Sequence, residues 1–238
     1  IWHAGSYDPN DFLGRMSDLD WARDTERALS KSIDFNYFTT EYHKELFLNT
    51  LYSKDSKKPN TVISGQPHEM LFDILSKYKS EKKDRIIFPH RLAKEKQHDI
   101  FLDLQKSMPE YEFITCQDKR LTKDEYYELM SSSKICFSAS LQETYGIGCA
   151  EASLLETIPL CPNRLSYGEI YREFQEFLYP SEWTVDYNSY LKHKTELMSK
   201  IHHIMLNYEE YAELLKIFNT TTLPKYAKAD TMYGMLEK

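Results

Sequence analysis

Glycine is scarce in this chain, with only seven in 238 residues, so the few that occur close together carry information. Cysteine is equally sparse. Cys116, Cys136, Cys149 and Cys161 are widely spaced and form no Cys-x-x-Cys pair, so zinc-ribbon and thioredoxin-type chemistry lack their ligand spacing. No apolar run approaches the roughly 18 residues of a membrane span, and no charged-then-apolar leader opens the chain. Net positive charge is missing too: the formal charge is −7. A nucleic-acid surface usually shows as a basic excess, and none exists in bulk, although a local patch is compatible with this balance. What is present is ordinary for a globular protein that buries a real core: 41% hydrophobic and 28% charged residues. Eighteen tyrosines and twelve phenylalanines are spread along the chain and read as core and half-buried surface before stacking platforms. Free thiols in strand-like runs suit a reducing cytoplasm. The chain opens Ile1-Trp2-His3 without a methionine, which reads as a start inside a longer protein.

Residues 1–66 read as a mixed segment. Asp8-Pro9-Asn10 signals a turn, and Ser17-Asp18 opens a helix through Trp21, Ala22, Ala28 and Leu29. A short strand at Phe35–Phe38, a helix over Glu41–Leu51 and a strand at Thr61–Ile63 follow. Ser64-Gly65-Gln66-Pro67 then marks a hinge, with 67–83 as a linker. From residue 84 the alternation becomes regular. Strands are expected at 85–89, 112–116, 134–139 and 158–161, and helices at 94–108, 124–132 and 147–156. Ser166 with Glu169 three residues on has the spacing of a capping box. Strands of about five residues alternating with helices of about ten indicate βαβ units and a parallel sheet, a Rossmann-like domain over 84–206. Residues 207–238 read as a helical tail, punctuated by Pro224.

Ligands of open α/β sheets bind beyond the carboxyl ends of the strands. The loop after residue 139 stands out there, because it places Glu143-Thr144-Tyr145-Gly146-Ile147-Gly148 ahead of Glu151. Glycines at a helix start let a phosphate approach backbone amides. A carboxylate can accept two hydrogen bonds from a vicinal diol, so two glutamates flanking such a turn could hold a ribose and a hexose. From spacing alone the plainer reading is stronger, with Glu143 solvated and Glu151 serving its helix dipole. The earlier loop, Phe88-Pro89-His90-Arg91-Leu92-Ala93-Lys94-Glu95-Lys96, puts Arg91 and Lys96 after a strand, where they could match a diphosphate. Taken alone, they are two solvated cations.

Together the two loops resemble the retaining GT-B glycosyltransferases of family-4 type. Those enzymes carry Gly-Arg-Leu then Glu-Lys after one strand, and Glu-Gly-Phe-Gly-Leu leading to a second Glu after a later one. Here Pro89-His90-Arg91-Leu92 with Glu95-Lys96 matches the first motif, with His90 for the glycine. Glu143-Thr144-Tyr145-Gly146-Ile147 with Glu151 matches the second, with Thr144 for the glycine. Thr157-Ile158-Pro159-Leu160 is similar to the Gly-x-Pro-Val strand that follows, and the likeness covers about residues 61–170. It implies an α/β fold of GT-B type, with a complete C-terminal Rossmann-like domain and a partial N-terminal, acceptor-side one. It also implies an enzyme that takes a nucleotide-diphosphate sugar and needs no metal or other cofactor. Arg91 and Lys96 would bind the diphosphate and Glu143 the transferred sugar. The Gly146 and Ile147 amides would take the phosphate, with Thr144 and Tyr145 beside them, and Glu151 the ribose. His3 is expected near the donor sugar, with a structural loop histidine as the equal alternative.

Phe88-Pro89-His90-Arg91 and Leu160–Ile170 are further similar to the queuosine-tRNA mannosyltransferase-like branch, and also to phage-encoded glycosyltransferases, in which His3–Pro9 and Asp11–Arg15 have counterparts. That likeness implies a nucleic-acid acceptor, a modified base in phage DNA or tRNA, and a host-cytoplasmic setting. The acidic charge argues mildly against it. Two other readings stay open: a nucleotide-sugar-binding module without transfer, and an epimerase or phosphorylase on the same fold. Asp18-Leu19-Asp20 has the form of a manganese-binding Asp-x-Asp but reads as a helix start. His68-Glu69 lacks a second zinc-protease histidine, and His202-His203 point apart on a helix.

Overall fold

The computed structural model describes residues 1–236. Two parallel sheets organise it. The smaller pairs β1 (Asn36–Phe38) with β2 (Thr61–Ile63), flanked by α1 (Asp20–Ser32) and α2 (Glu41–Leu51). The Trp2 amide donates to the Tyr37 carbonyl and lays the first residues beside β1. Tyr7, Phe38, Phe47, Leu51 and Tyr52 form this lobe's core. The larger sheet contains β3 (Lys83–Phe88), β4 (Glu112–Thr115), β5 (Ser133–Phe137), β6 (Ile158–Pro162) and β7 (Leu178–Tyr179), in the order β4-β3-β5-β6-β7, all parallel.

Central strands of a parallel sheet are covered on both faces, so they read as unbroken apolar runs. Ile86, Ile87 and Phe88 of β3 and Ile135, Cys136 and Phe137 of β5 are fully buried. The covering helices are α3 (Met70–Leu75), α4 (His98–Ser107), α5 (Lys123–Ser131), α6 (Ile147–Leu154), α7 (Leu165–Ile170), α8 (Tyr187–Leu206) and α9 (Tyr208–Thr221). Helix α4 packs on α8, and α6 packs on α3 and α9. Leu215 and Phe218 of α9 belong to the main core. Beyond it α10 (Leu223–Ala227), with Pro224 in its first turn, and α11 (Asp230–Leu236) return toward the smaller lobe. There the Gln66 and His68 amides donate to the Tyr226 and Ala227 carbonyls at 2.7 and 3.0 Å. No described helix is long and apolar enough to cross a membrane.

Three local expectations are corrected. The helix foreseen over 94–108 is broken: Lys94–Lys96 is a single 3-10 turn, and Gln97, at φ +51°, starts α4 one residue later. The foreseen Ser166–Glu169 capping box does not form. Helix α7 starts at Leu165, the Ser166 hydroxyl is buried without a partner, and the Glu169 carboxylate accepts the Glu41 and Tyr42 amides at the start of α2 (3.0 and 2.8 Å). The box stands instead at α5. Thr122 Oγ accepts the Glu125 amide, and Glu125 accepts the Thr122 amide. At α1 no side chain caps the helix; Asp18 accepts the Asp20 amide at 3.3 Å, just ahead of the first full turn. Thr122→Ala is expected to lower the melting temperature by about 2–4 °C, since a lost N-cap frays the first turn. Thermal denaturation followed by circular dichroism checks this; an unchanged midpoint would show the box to be idle.

Candidate active site

The β3 and β5 loops meet at a nearly dry ion pair. The Lys96 ammonium donates to Glu143 Oε1 at 2.7 Å and to the Gln142 carbonyl at 2.5 Å. The two side chains are only 6% and 16% exposed, which shields the attraction from water. His90 adds to the cluster, with Nδ1 3.7 Å from the same Glu143 oxygen. Burial pushes the His90 pKa down, outweighing the pull of Cys149 and Glu143, so the imidazole stays neutral around pH 7. Its Nε2 is buried with no partner.

Arg91 takes a different partner. Its guanidinium grips Glu95 at 2.6 and 3.0 Å while remaining half exposed. The Glu95 carboxylate is buried and also receives Arg15 from the smaller lobe at 3.0 Å. Burial would raise its pKa, but its own backbone amide and the guanidiniums of Arg91 and Arg15 prevail and hold it below the usual range.

Glu151, in the second turn of α6, is 5% exposed. It accepts the Tyr127 hydroxyl at 2.8 Å, the Tyr126 hydroxyl at 3.2 Å and the Lys123 ammonium at 3.3 Å, all from α5. The start of α6 lies against the β3 loop, because a Cβ on Gly148 would stand 3.1 Å from Pro89. Gly146, at φ +85°, delivers the chain into α6, whose first amides (Ile147, Gly148) have no acceptor within the helix. Ile147 is half exposed. Tyr145 is buried, its ring 5.7 Å from His68 and its hydroxyl unpartnered. The Thr144 carbonyl accepts the Thr40 hydroxyl of the smaller lobe at 3.2 Å.

A cavity of about 450 Å³ opens beside these groups, lined by Pro89, His90, Arg91, Arg120, Lys123 and Tyr126 among others. A second, of about 570 Å³, lies beyond Glu95, where Asn10 and Arg15 face Gln97, Leu141 and Tyr187. The structure thus gathers Arg91, Lys96, Glu143, Gly146, Ile147 and Glu151 at the carboxyl ends of neighbouring strands β3 and β5. The Thr144 carbonyl meets the smaller lobe, while Tyr145 packs into the core of the larger one. His3 is exposed, and its carbonyl rather than its ring is engaged, by Tyr7 and His43. Sequence reasoning did not find the bonding of Glu95 to both arginines, the tyrosine pair on Glu151, or Asp8. Tyr126-Tyr127 after Thr122-x-x-Glu125 was the one visible trace of the second, a capped helix presenting two phenols.

No family model matches this sequence, and no curated relative does. Solved structures do match in three dimensions. The pneumococcal O-GlcNAc transferase GtfA, in complex with UDP and GlcNAc, superposes at a TM-score of 0.61 with 17% identity, over 92% of this chain and 47% of that one. TarM matches at 0.62 with 14% identity, over 97% and 48%. Sucrose-phosphate synthase from Thermosynechococcus elongatus matches at 0.65 with 15% identity, over 98% and 65%. The chain has a partial GT-B fold. It spans about half the length of the first two structures, in keeping with an incomplete first lobe beside a complete second one. Next to Lys96 and Glu143 the two lobes are joined by the Asn10–Leu141, Arg15–Glu95 and Thr40–Thr144 contacts.

Proposed function

We propose that this chain carries the donor site of a glycosyltransferase that moves a sugar from a nucleoside diphosphate to an acceptor hydroxyl, with retention of anomeric configuration. One observation carries the reading. Lys96, Glu143 and His90 converge at the ends of two adjacent strands, beside a cavity edged by Arg91 and Lys123. The diphosphate lies between Arg91, Lys96 and the first amides of α6, where cations and a helix N-terminus favour it. Among the described residues Glu143 is engaged through Oε1, leaving Oε2 for sugar hydroxyls. The ribose reaches Glu151 by displacing Lys123, whose side chain is 70% exposed and holds the carboxylate at 3.3 Å. In the transfer the bond from the anomeric carbon to the diphosphate oxygen breaks. The bond to the acceptor oxygen forms on the same face, and the acceptor proton passes to the departing phosphate. Arg91 and Lys96 stabilise the charge that develops there. On the likeness to the phage and queuosine branches alone, a modified base in nucleic acid is the acceptor class to test first.

A thermal-shift screen against UDP-, GDP- and ADP-sugars tests the donor site. A ligand at about a hundredfold excess over its Kd is expected to raise the melting temperature by roughly 5 °C or more. No shift with any of them at millimolar concentration would end the proposal. Arg91→Ala is expected to weaken diphosphate binding about tenfold or more. The free protein should melt within about 1–2 °C of wild type, because Glu95 keeps Arg15 and the lost pair is half solvated. Calorimetric titration with UDP and GDP reads the first effect, and equal affinity in the variant would remove Arg91 from the site.

A further inference from the structure

Asp8 sits on a loop that the fold fixes from both ends. Its carbonyl accepts the Asp11 amide at 3.1 Å, and its own amide donates to Gly5 at 3.0 Å. Gly14 backs onto it so closely that a Cβ there would meet the Asp8 carbonyl oxygen at 1.7 Å. Two residues on, the Asn10 side chain donates to the Leu141 carbonyl at 3.0 Å, and Arg15 reaches Glu95. The loop is therefore tied to the segment that carries Gln142 and Glu143.

Asp8 is 2% exposed. One carboxylate oxygen accepts the Asn10 amide at 2.9 Å, while Oδ2 is buried and has no donor among the described residues. A buried carboxylate oxygen without a donor is costly, so a fold that holds one rigidly is organised for a donor that arrives later. The Lys96 ammonium directs its bonds to Gln142 and Glu143 and makes none to Asp8. Burial raises the Asp8 pKa, outweighing the pull of the Asn10 and Asp11 amides and of Lys96.

We propose that Asp8 Oδ2 accepts a hydrogen bond from a hydroxyl of the transferred sugar, on the side opposite Glu143, and so helps select the donor. This rests on the donor-site reading above. A sugar hydroxyl suits the position because it donates one hydrogen bond while bringing no charge to a site whose cation is already paired. Asp8 is a specificity residue in this scheme. It leaves the diphosphate to Arg91 and Lys96.

The test compares the intact chain with Asp8→Asn by calorimetry, using UDP-GlcNAc, UDP-glucose, GDP-mannose and ADP-glucose, each beside its free diphosphate. In wild type at least one nucleotide sugar is expected to bind tighter than its diphosphate. In Asp8→Asn that sugar-dependent gain falls about tenfold, the size of one lost hydrogen bond to a charged group, while the diphosphate affinity is unchanged. Unchanged diphosphate affinity also shows that the site has kept its shape. Should Asp8→Asn fail to fold, Asp8→Ser retains an acceptor for the Asn10 amide and takes its place. A sugar-dependent gain that survives the substitution, or is absent from wild type while diphosphates bind, overturns the assignment to Asp8. Failure of every diphosphate and nucleotide sugar to bind wild type overturns the donor site itself.

Discussion

Lys96→Met is expected to abolish donor binding and transfer, and to cost about 3–5 kcal/mol of stability, the usual penalty for stranding one member of a buried ion pair. The magnitude follows from the geometry. Glu143 is left at 16% exposure without its cation, and His90, neutral through burial, brings no charge to replace it. The Gln142 carbonyl loses its donor as well, so the loop into α6 loses its tie to β3. Transfer should fall at least a hundredfold, in line with the removal of a group that meets developing charge. Stability and function separate in the double variant Lys96→Met/Glu143→Leu. Two apolar side chains restore most of the lost stability, because neither leaves a charge unpaired, and the protein remains inactive. Urea denaturation and calorimetric titration of the three proteins measure this. A single variant that loses less than about 1 kcal/mol would show the pair to be water-screened, and the cleft would not be the dry site a diphosphate transfer needs.

Strands β3 to β6 were readable because each is an apolar run followed by an amphipathic helix, a pattern that few other folds produce, whereas the two-residue edge strand β7 is too short to leave one. Gly146 stood out because glycine is rare here, whereas Glu143 and Lys96, each read alone as a solvated charge, stood out only through the resemblance carried by the two loops together. What escaped was partnership. Glu169 has a capping-box spacing to Ser166, yet its carboxylate serves α2, which begins 128 residues earlier in the chain. No local pattern reports a donor brought from the other lobe. Glu95 looks like a neighbour of Lys96, yet it is the buried acceptor for Arg91 and Arg15, one of them 80 residues away. The break at Gln97 was invisible because Lys94 to Met108 has helical composition throughout, and only the packing of Gln97 between Ala139 and Thr184 shows why the chain turns there. Asp8 was legible as a turn residue. Its empty oxygen belongs to the folded state alone.

Gly146→Ala is expected to be nearly as damaging as the loss of Lys96, through the backbone rather than charge. The φ of +85° puts residue 146 in the left-handed region, where a Cβ costs about 1–2 kcal/mol. That Cβ would also stand 2.6 Å from the Tyr167 ring. Tyr167 cannot step aside cheaply: it is fully buried, and its hydroxyl meets Ser138 at 3.1 Å, next to the end of β5. Strain and overlap together should exceed about 3 kcal/mol. A chain that relaxes to avoid them swings the first turn of α6 and misaligns the amides proposed to hold the phosphate. Two further variants divide the effect. Gly146→Asn carries the same Cβ but tolerates the left-handed region better, so it should recover the backbone part only. Gly146→Ala/Tyr167→Leu removes the overlap and should recover the other part. Equal stability of Gly146→Ala and wild type in urea, with nucleotide-sugar affinity intact, would mean that the turn is soft, and the amides of α6 would then lose their claim to a prearranged phosphate site.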